Sequence, residues 1–177
     1  MSNRRQLWLI ALTLSMVFSA SASSWGKEAA SQPMGWNMTE MKFEMVPGLP
    51  TCAQASVQSG DPAKGPSIIL AKVATGCTIP WHWHTPNESV MIVSGVGHMD
   101  MKDGKSLTLE AGGFAAMPSG HVHQFHCDSS CVQFIYSDSA FDIHYVNEQG
   151  KEIPPLEAMK AVNETAATKM EKQGPAK

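Results

Sequence analysis

Positive charge is scarce in this chain: 13 Lys and Arg stand against 16 Asp and Glu, the net charge is −3, and the lysines are scattered rather than clustered. That surface has no basic footprint for a phosphate backbone, which argues against a nucleic-acid partner. Charge of either sign is also low, at 16% of residues against a usual share of roughly a quarter, while 43% are hydrophobic. A chain with so little charge and so much apolar surface folds. Long hydrophobic runs are missing as well. Leu7 to Phe18 is twelve residues, whereas a membrane-spanning helix needs about twenty. There is no internal repeat, and no second cysteine pair that would make Cys127–Cys131 part of a zinc knuckle.

What is present begins with export. Arg4 and Arg5 precede the apolar run, and Ala20-Ser21-Ala22 supplies small residues at −3 and −1. This is the pattern of a cleaved secretory signal, with cleavage after Ala22 and a periplasmic or secreted product free of the membrane. The alternatives are an uncleaved anchor and, from the paired arginines, twin-arginine export in place of the general secretory route. The remaining 155 residues suffice for one domain. All four cysteines, Cys52, Cys77, Cys127 and Cys131, lie in that part, and an even count in an exported chain implies two disulfides. Three connectivities are open. In one, Cys127 and Cys131 clip a short polar turn and leave Cys52 to Cys77.

Four segments are expected: a signal peptide at 1–22, an extended arm at 23–50, a β domain at 51–150, and a helix with a polar tail at 151–177. The β domain shows short apolar or alternating runs at 52–58, 67–74, 77–84, 88–94, 96–101, 106–109, 114–117, 121–127, 131–137 and 142–146. Turn signals such as Ser-Gly-Asp-Pro at 59–62, Lys-Asp-Gly at 102–104 and Pro118-Ser119-Gly120 separate them. Many short strands with regular turns make an all-β sandwich or barrel. At the end, Leu156, Met159, Val162 and Met170 fall at loosely helical positions. The methionines after the signal read as core filler.

Five of the seven histidines fall in two windows, 82–84 and 121–126. Residues two apart on a strand share a face, so His82 and His84 point the same way. Glu88 opens the next strand and His123 arrives on a later one. Three imidazoles and a carboxylate converging inside a barrel are costly to bury unless a cation satisfies them.

Gly76, His82, His84, Glu88 and Gly95 stand at the spacing of the first motif of the cupin superfamily, which the chain resembles. Gly112, Pro118, Gly120 and His123 follow the second motif, whose final Asn is here Cys127. Nine of ten fixed positions agree. The resemblance spans about 46–150 and extends to Gly-Asp-Pro at 60–62 and Phe141-Asp142-Ile143-His144-Tyr145-Val146, shared with small exported bacterial cupins. It implies a double-stranded β-helix, or jelly roll, whose metal ligands are His82, His84, Glu88 and His123. One divalent transition metal, Fe, Mn, Ni, Co, Cu or Zn, would be the cofactor. The departure at Cys127 is not at a ligand but leaves open how that strand end is held.

Three nitrogens and one oxygen leave coordination positions free for a small-molecule substrate or dioxygen. The expected function is a metal-dependent oxidoreductase, similar to quercetinase-like dioxygenases, with Glu88 as ligand and base. The alternatives are a non-catalytic metal- or ligand-binding module and, third, an isomerase or lyase. His121 shares parity with His123 and is a candidate acid/base; the other reading is a solvated turn histidine. His126 has the opposite parity and should face out, and His98 and His144 read as ordinary surface or core histidines. Phe125, Val90 and Ile92 should wall the pocket. Trp81 and Trp83 should lie on the opposite sheet face, where they offer apolar area for a homodimer.

Overall fold

Alternating apolar positions and the turns between them divide the chain into ten strands among residues 33–163, the residues described in this computed structural model. One antiparallel sheet contains, in spatial order, β1 (Ala53–Gly60), β2 (Ser67–Val73), β9 (Cys131–Ser137), β4 (Glu88–Ser94) and β7 (Phe114–Met117). The second contains β10 (His144–Tyr145), β3 (Thr78–Trp83), β8 (His123–Cys127), β5 (Gly97–Met101) and β6 (Ser106–Leu109). Each of the ten runs expected from sequence corresponds to one of these strands. The chain crosses repeatedly between the two sheets, which gives the jelly roll. The segment expected to be a signal, with its expected cleavage site after Ala22, residues 23–32 and the tail from 164 lie outside the described residues. No described helix is long and apolar enough to cross a membrane.

The inward faces meet in one core. Val90 and Ile92 of β4 pack with Met99 of β5 and Phe125 of β8, all 1–3% exposed. Burying a side chain of this kind contributes about 1.5–3 kcal/mol. Turns between sheets need special backbone. Gly95 sits at φ 82°, and a Cβ there would stand 2.3 Å from the Ser130 carbonyl oxygen, so only glycine fits. Not every methionine is core filler, however: Met99, Met101 and Met117 are buried, but Met34, Met38, Met45 and Met91 are exposed.

The ends are tied down. Glu44 and Ala55 exchange two backbone hydrogen bonds of 2.9 Å, adding the segment before β1 to that strand's edge. The buried Tyr145 donates its hydroxyl to the Gly48 carbonyl at 2.8 Å, and burial pushes its phenol pKa up. A helix covers 155–163, opened by Pro155, whose missing N–H costs nothing at a first helical position. Its buried contact is Ala158; Leu156, expected on the packed face, is 69% exposed.

Both disulfides form, Cys52–Cys77 and Cys127–Cys131, and two such bonds fit an oxidising environment. They also answer how the strand end at Cys127 is held. The bond to Cys131 closes the turn by which the chain passes from β8 in one sheet to β9 in the other, the Cys127 carbonyl accepts from Gly76 N–H at 2.8 Å, and its N–H donates to the Cys77 carbonyl at 3.2 Å.

The apolar outer surface is not where the tryptophans suggested. Trp81 and Trp83 do lie on the face opposite His82, but they are half-buried: Lys102 Nζ sits 4.5 Å over Trp81, and Trp83 stacks on His144 at 4.0 Å. A larger group of exposed apolar side chains stands instead on the first sheet: Ile68, Met91, Val93, Phe114, Phe134 and Tyr136.

Candidate metal centre

The two sheets supply different ligating atoms. His82 at the end of β3, His84 just beyond it and His123 opening β8 come from one sheet, and Glu88 opens β4 in the other. His82 and His123 are cross-strand partners. Between Ile79 and His82 the register slips by one residue, at Pro80 and Trp81. Proline has no N–H for the ladder, so it marks a bulge. The bulge lets Ile79 reach the core and His82 reach the same interior three residues later. It also turns the Pro80 carbonyl toward His82.

That carbonyl belongs to a repeated device. Nδ1 of His82 donates to the Pro80 carbonyl at 2.6 Å, Nδ1 of His123 to the His121 carbonyl at 2.9 Å, and Nδ1 of His84 to the Asp142 carbonyl. A carbonyl only accepts, so each Nδ1 carries the proton, and a neutral ring then has a bare lone pair at Nε2. Such a partner on the far nitrogen is what orients a metal-ligating histidine. One ligating nitrogen from each ring lies within 4.8 Å of the others. Glu88 Oε2 is 3.3 Å from His123 Nε2 and 3.6 Å from His84 Nε2.

The four side chains are only 1–5% exposed, so electrostatics is severe. Burial drives the His82 pKa well below its ordinary value, and His123 and His84 push it the same way. His84 is lowered by burial too, against the pull of Glu88. Burial alone would raise Glu88, but the His123 and His84 rings outweigh it and leave the carboxyl below its usual range. The His82 and His84 rings are thereby favoured in their neutral form. His84 Nε2 and Glu88 Oε2 are buried without any hydrogen-bond partner, an arrangement worth about 1–3 kcal/mol per group unless something satisfies it. A divalent cation fits this donor set: it accepts from all four atoms and neutralises the carboxylate.

His121 places its backbone at this centre. Its N–H closes the Pro118 turn at 3.0 Å and its carbonyl holds His123. Other positioning residues left no clear mark in the sequence. Asn87 receives Ser119 N–H on its side-chain oxygen at 3.0 Å and donates Nδ2–H to Asp138 at 2.6 Å, fastening the turns around Glu88. Asp142 accepts Thr85 N–H at 2.7 Å while its carbonyl orients His84. Phe141 stacks on the His84 ring at 4.5 Å. Its side chain also lines a groove of about 770 Å³ whose walls include Trp36, Met41, Met45 and Val57.

A jelly roll with three imidazoles from one sheet and a carboxylate from the other defines a barrel whose interior could hold a cation. Residues 69–135 match the family model described as "Cupin domain". That match marks the middle of the chain as a cupin domain. Solved structures repeat the fold. The polyketide cyclase RemF from Streptomyces resistomycificus is 18% identical over 72% of this chain and 93% of its own, with a TM-score of 0.59. A cupin-like protein from Thermotoga maritima is 14% identical over 63% and 89%, with a TM-score of 0.54. An RmlC-like cupin from Shewanella frigidimarina is 16% identical over 59% and 88%, with a TM-score of 0.51. No curated protein matches the chain in sequence.

Proposed function

We propose that His82, His84, Glu88 and His123 hold one divalent transition metal, and that this exported protein is a metal-dependent oxidoreductase, a dioxygenase, acting on a small chelating organic substrate. The observation that carries the reading is the shared tautomer: three rings give their Nδ1 protons to backbone carbonyls and leave three Nε2 lone pairs beside a carboxylate. Fe, Mn, Ni, Co, Cu and Zn all suit these donors. When bound, the metal supplies a Lewis-acidic centre with positions for substrate oxygens and dioxygen. The protein's own residues do the rest. The carbonyls of Pro80, His121 and Asp142 fix ring orientation, Val90, Ile92 and Phe125 exclude water, and Glu88 Oε2 takes the proton that a substrate hydroxyl must lose. The apolar groove bounded by Phe141 supports an aromatic substrate, which would approach His84 past that ring.

The nearly complete burial of all four donors favours a second reading, a non-catalytic metal-binding module. Elemental analysis of protein from its native compartment, followed by oxygen uptake with flavonols, β-diketones and catechols, separates the two. Glu88→Gln keeps side-chain volume but removes basicity, so oxygen uptake should fall more than metal content does. Unchanged turnover in that variant would leave Glu88 without a role as base, and no uptake by the wild type with any chelating substrate favours the binding module. We further place a homodimer contact on the outer face of the first sheet, around Phe114 and Phe134. Phe114→Lys should then shift the sedimenting species to monomer.

A further inference from the structure

Three more metal-ligating side chains converge on the opposite face of the sheet that carries the buried imidazoles. His98 of β5 and His126 of β8 are direct cross-strand partners, with rings stacked 4.8 Å apart at 16°. Asp128 lies two residues past His126, so it extends over the same face. Its Oδ2 is 2.7 Å from His98 Nε2 and its Oδ1 is 4.0 Å from His126 Nε2. The other ring nitrogens meet different oxygens. His98 Nδ1 is 3.1 Å from Thr108 Oγ1, and His126 Nδ1 is 3.7 Å from Asp100 Oδ2, a carboxylate steadied by Ser106 at 2.6 Å.

Both Nε2 atoms therefore face one carboxylate, and both Nδ1 atoms face an oxygen of their own. A proton serves this arrangement only in part: it bridges His98 to Asp128 but leaves His126 Nε2 beyond hydrogen-bond distance. A cation would serve all three ligands at once. Thr108 can accept the His98 Nδ1 proton, and Asp100, 3.7 Å from His126 Nδ1, can accept the other after the same small side-chain rotation that an ion requires; both rings then present an Nε2 lone pair, the outer-shell pattern of metal-bound histidine. The ligating atoms already lie within 4.8 Å of one another. An ion about 2.0–2.1 Å from each atom requires somewhat closer approach. Rotation of partly exposed side chains supplies it, His126 being 33% and Asp128 68% exposed. That exposure leaves the remaining positions to water. Two imidazoles and one carboxylate suit Zn²⁺ and Cu²⁺, not the all-oxygen preference of Ca²⁺ or Mg²⁺.

We infer that His98, His126 and Asp128 form a second, solvent-accessible site for a divalent transition metal of the Zn²⁺ and Cu²⁺ class. An ion there joins β5 and β8 to the loop closed by Cys127–Cys131. The site stands apart from the buried centre and does not rest on its function.

Equilibrium dialysis of the full chain against Zn²⁺, with the bound metal quantified, compares wild type with His98→Gln/His126→Gln. The difference between the two proteins is the readout, so the loading of the buried centre does not enter. The double variant should bind one equivalent fewer at micromolar free Zn²⁺. Thr108→Val retains every ligand and should weaken the outer site by about 10–100-fold. If the double variant loses its fold by circular dichroism, Asp128→Asn, at an exposed position, carries the test, with binding weaker by at least about tenfold. Equal Zn²⁺ content and affinity in wild type and variants, or a difference that emerges only at millimolar Zn²⁺, overturns the site.

Discussion

The protein holds two histidine–carboxylate clusters, one on each face of the same sheet, and they differ in what surrounds the same chemical groups. At the inner cluster, His84 Nε2 and Glu88 Oε2 are sealed from water without a partner. At the outer one, His98 and Asp128 pair at 2.7 Å with the carboxylate 68% exposed. Buried lone pairs have no solvent to fall back on, so a cation inside would satisfy groups that water cannot reach. The exposed groups can turn to water, so the fold does not depend on a metal there. Metal affinity and metal dependence are therefore separate properties, and the two faces of one sheet separate them.

The largest expected break in that contrast is at the inner cluster. His84→Ala should take stoichiometric metal at this centre from one equivalent to almost none at neutral pH, because the remnant loses both chelation and geometry. Metal analysis of the purified variant checks this, and retention of the full equivalent contradicts it.

A second change strikes between the clusters. Replacing Cys127 and Cys131 by Ser frees the turn that carries Asp128, and losing a closed loop of this length should cost about 2 kcal/mol by the chain-entropy estimate. Urea unfolding gives the value. The outer Zn²⁺ site should weaken in this variant while the inner metal content stays the same.

Acid should act on the inner cluster third. His82 and His84 titrate below their ordinary value of 6.5 in the folded, metal-free protein, so below that pH the unfolded chain binds protons that the native state refuses. Stability then falls as pH drops from about 6.5 toward the folded pKa values, by up to about 1.4 kcal/mol per pH unit for each ring. Glu88, also lowered, adds a loss of the same sign below its own unfolded value. Thermal melts of the metal-free protein at pH 7 and pH 5 should show the lower melting temperature at pH 5. A flat profile would mean that the rings titrate normally.

The smallest effect belongs to the outer cluster without metal. His98→Gln removes the 2.7 Å contact with Asp128 and should cost no more than about 1 kcal/mol. A larger loss in metal-free urea unfolding would show the outer cluster to be structural in its own right.

How much of this could be read in the chain follows from which contacts are local. The strands were legible because each is short, alternating and closed by Gly or Pro, as in Ser-Gly-Asp-Pro before β2 and Lys-Asp-Gly after β5. His82, His84 and Glu88 sit within seven residues, so strand parity and one turn bring them together. The outer cluster was not legible: the parity of His126 pointed it outward, but His98 lies 28 residues earlier and only the β5–β8 register joins them. The carbonyl of Asp142 reaches His84 across 58 residues by the same kind of long-range pairing. The outward apolar face was misplaced because Trp81 and Trp83 are large, while what Lys102 and His144 cover is decided by the fold.

If burial and three carbonyl-fixed tautomers make the inner cluster a metal site, the ion can be located directly. Diffraction from crystals of the protein as purified, recorded at the absorption edge of the metal found by elemental analysis, does this. The expected result is an anomalous peak inside the barrel, bonded to Nε2 of His82, His84 and His123 and to the Glu88 carboxylate, with the Nδ1 bonds to Pro80, Asp142 and His121 intact. Density showing protonated rings hydrogen-bonded to Glu88 around an empty centre, or an ion bound through Nδ1, would contradict it.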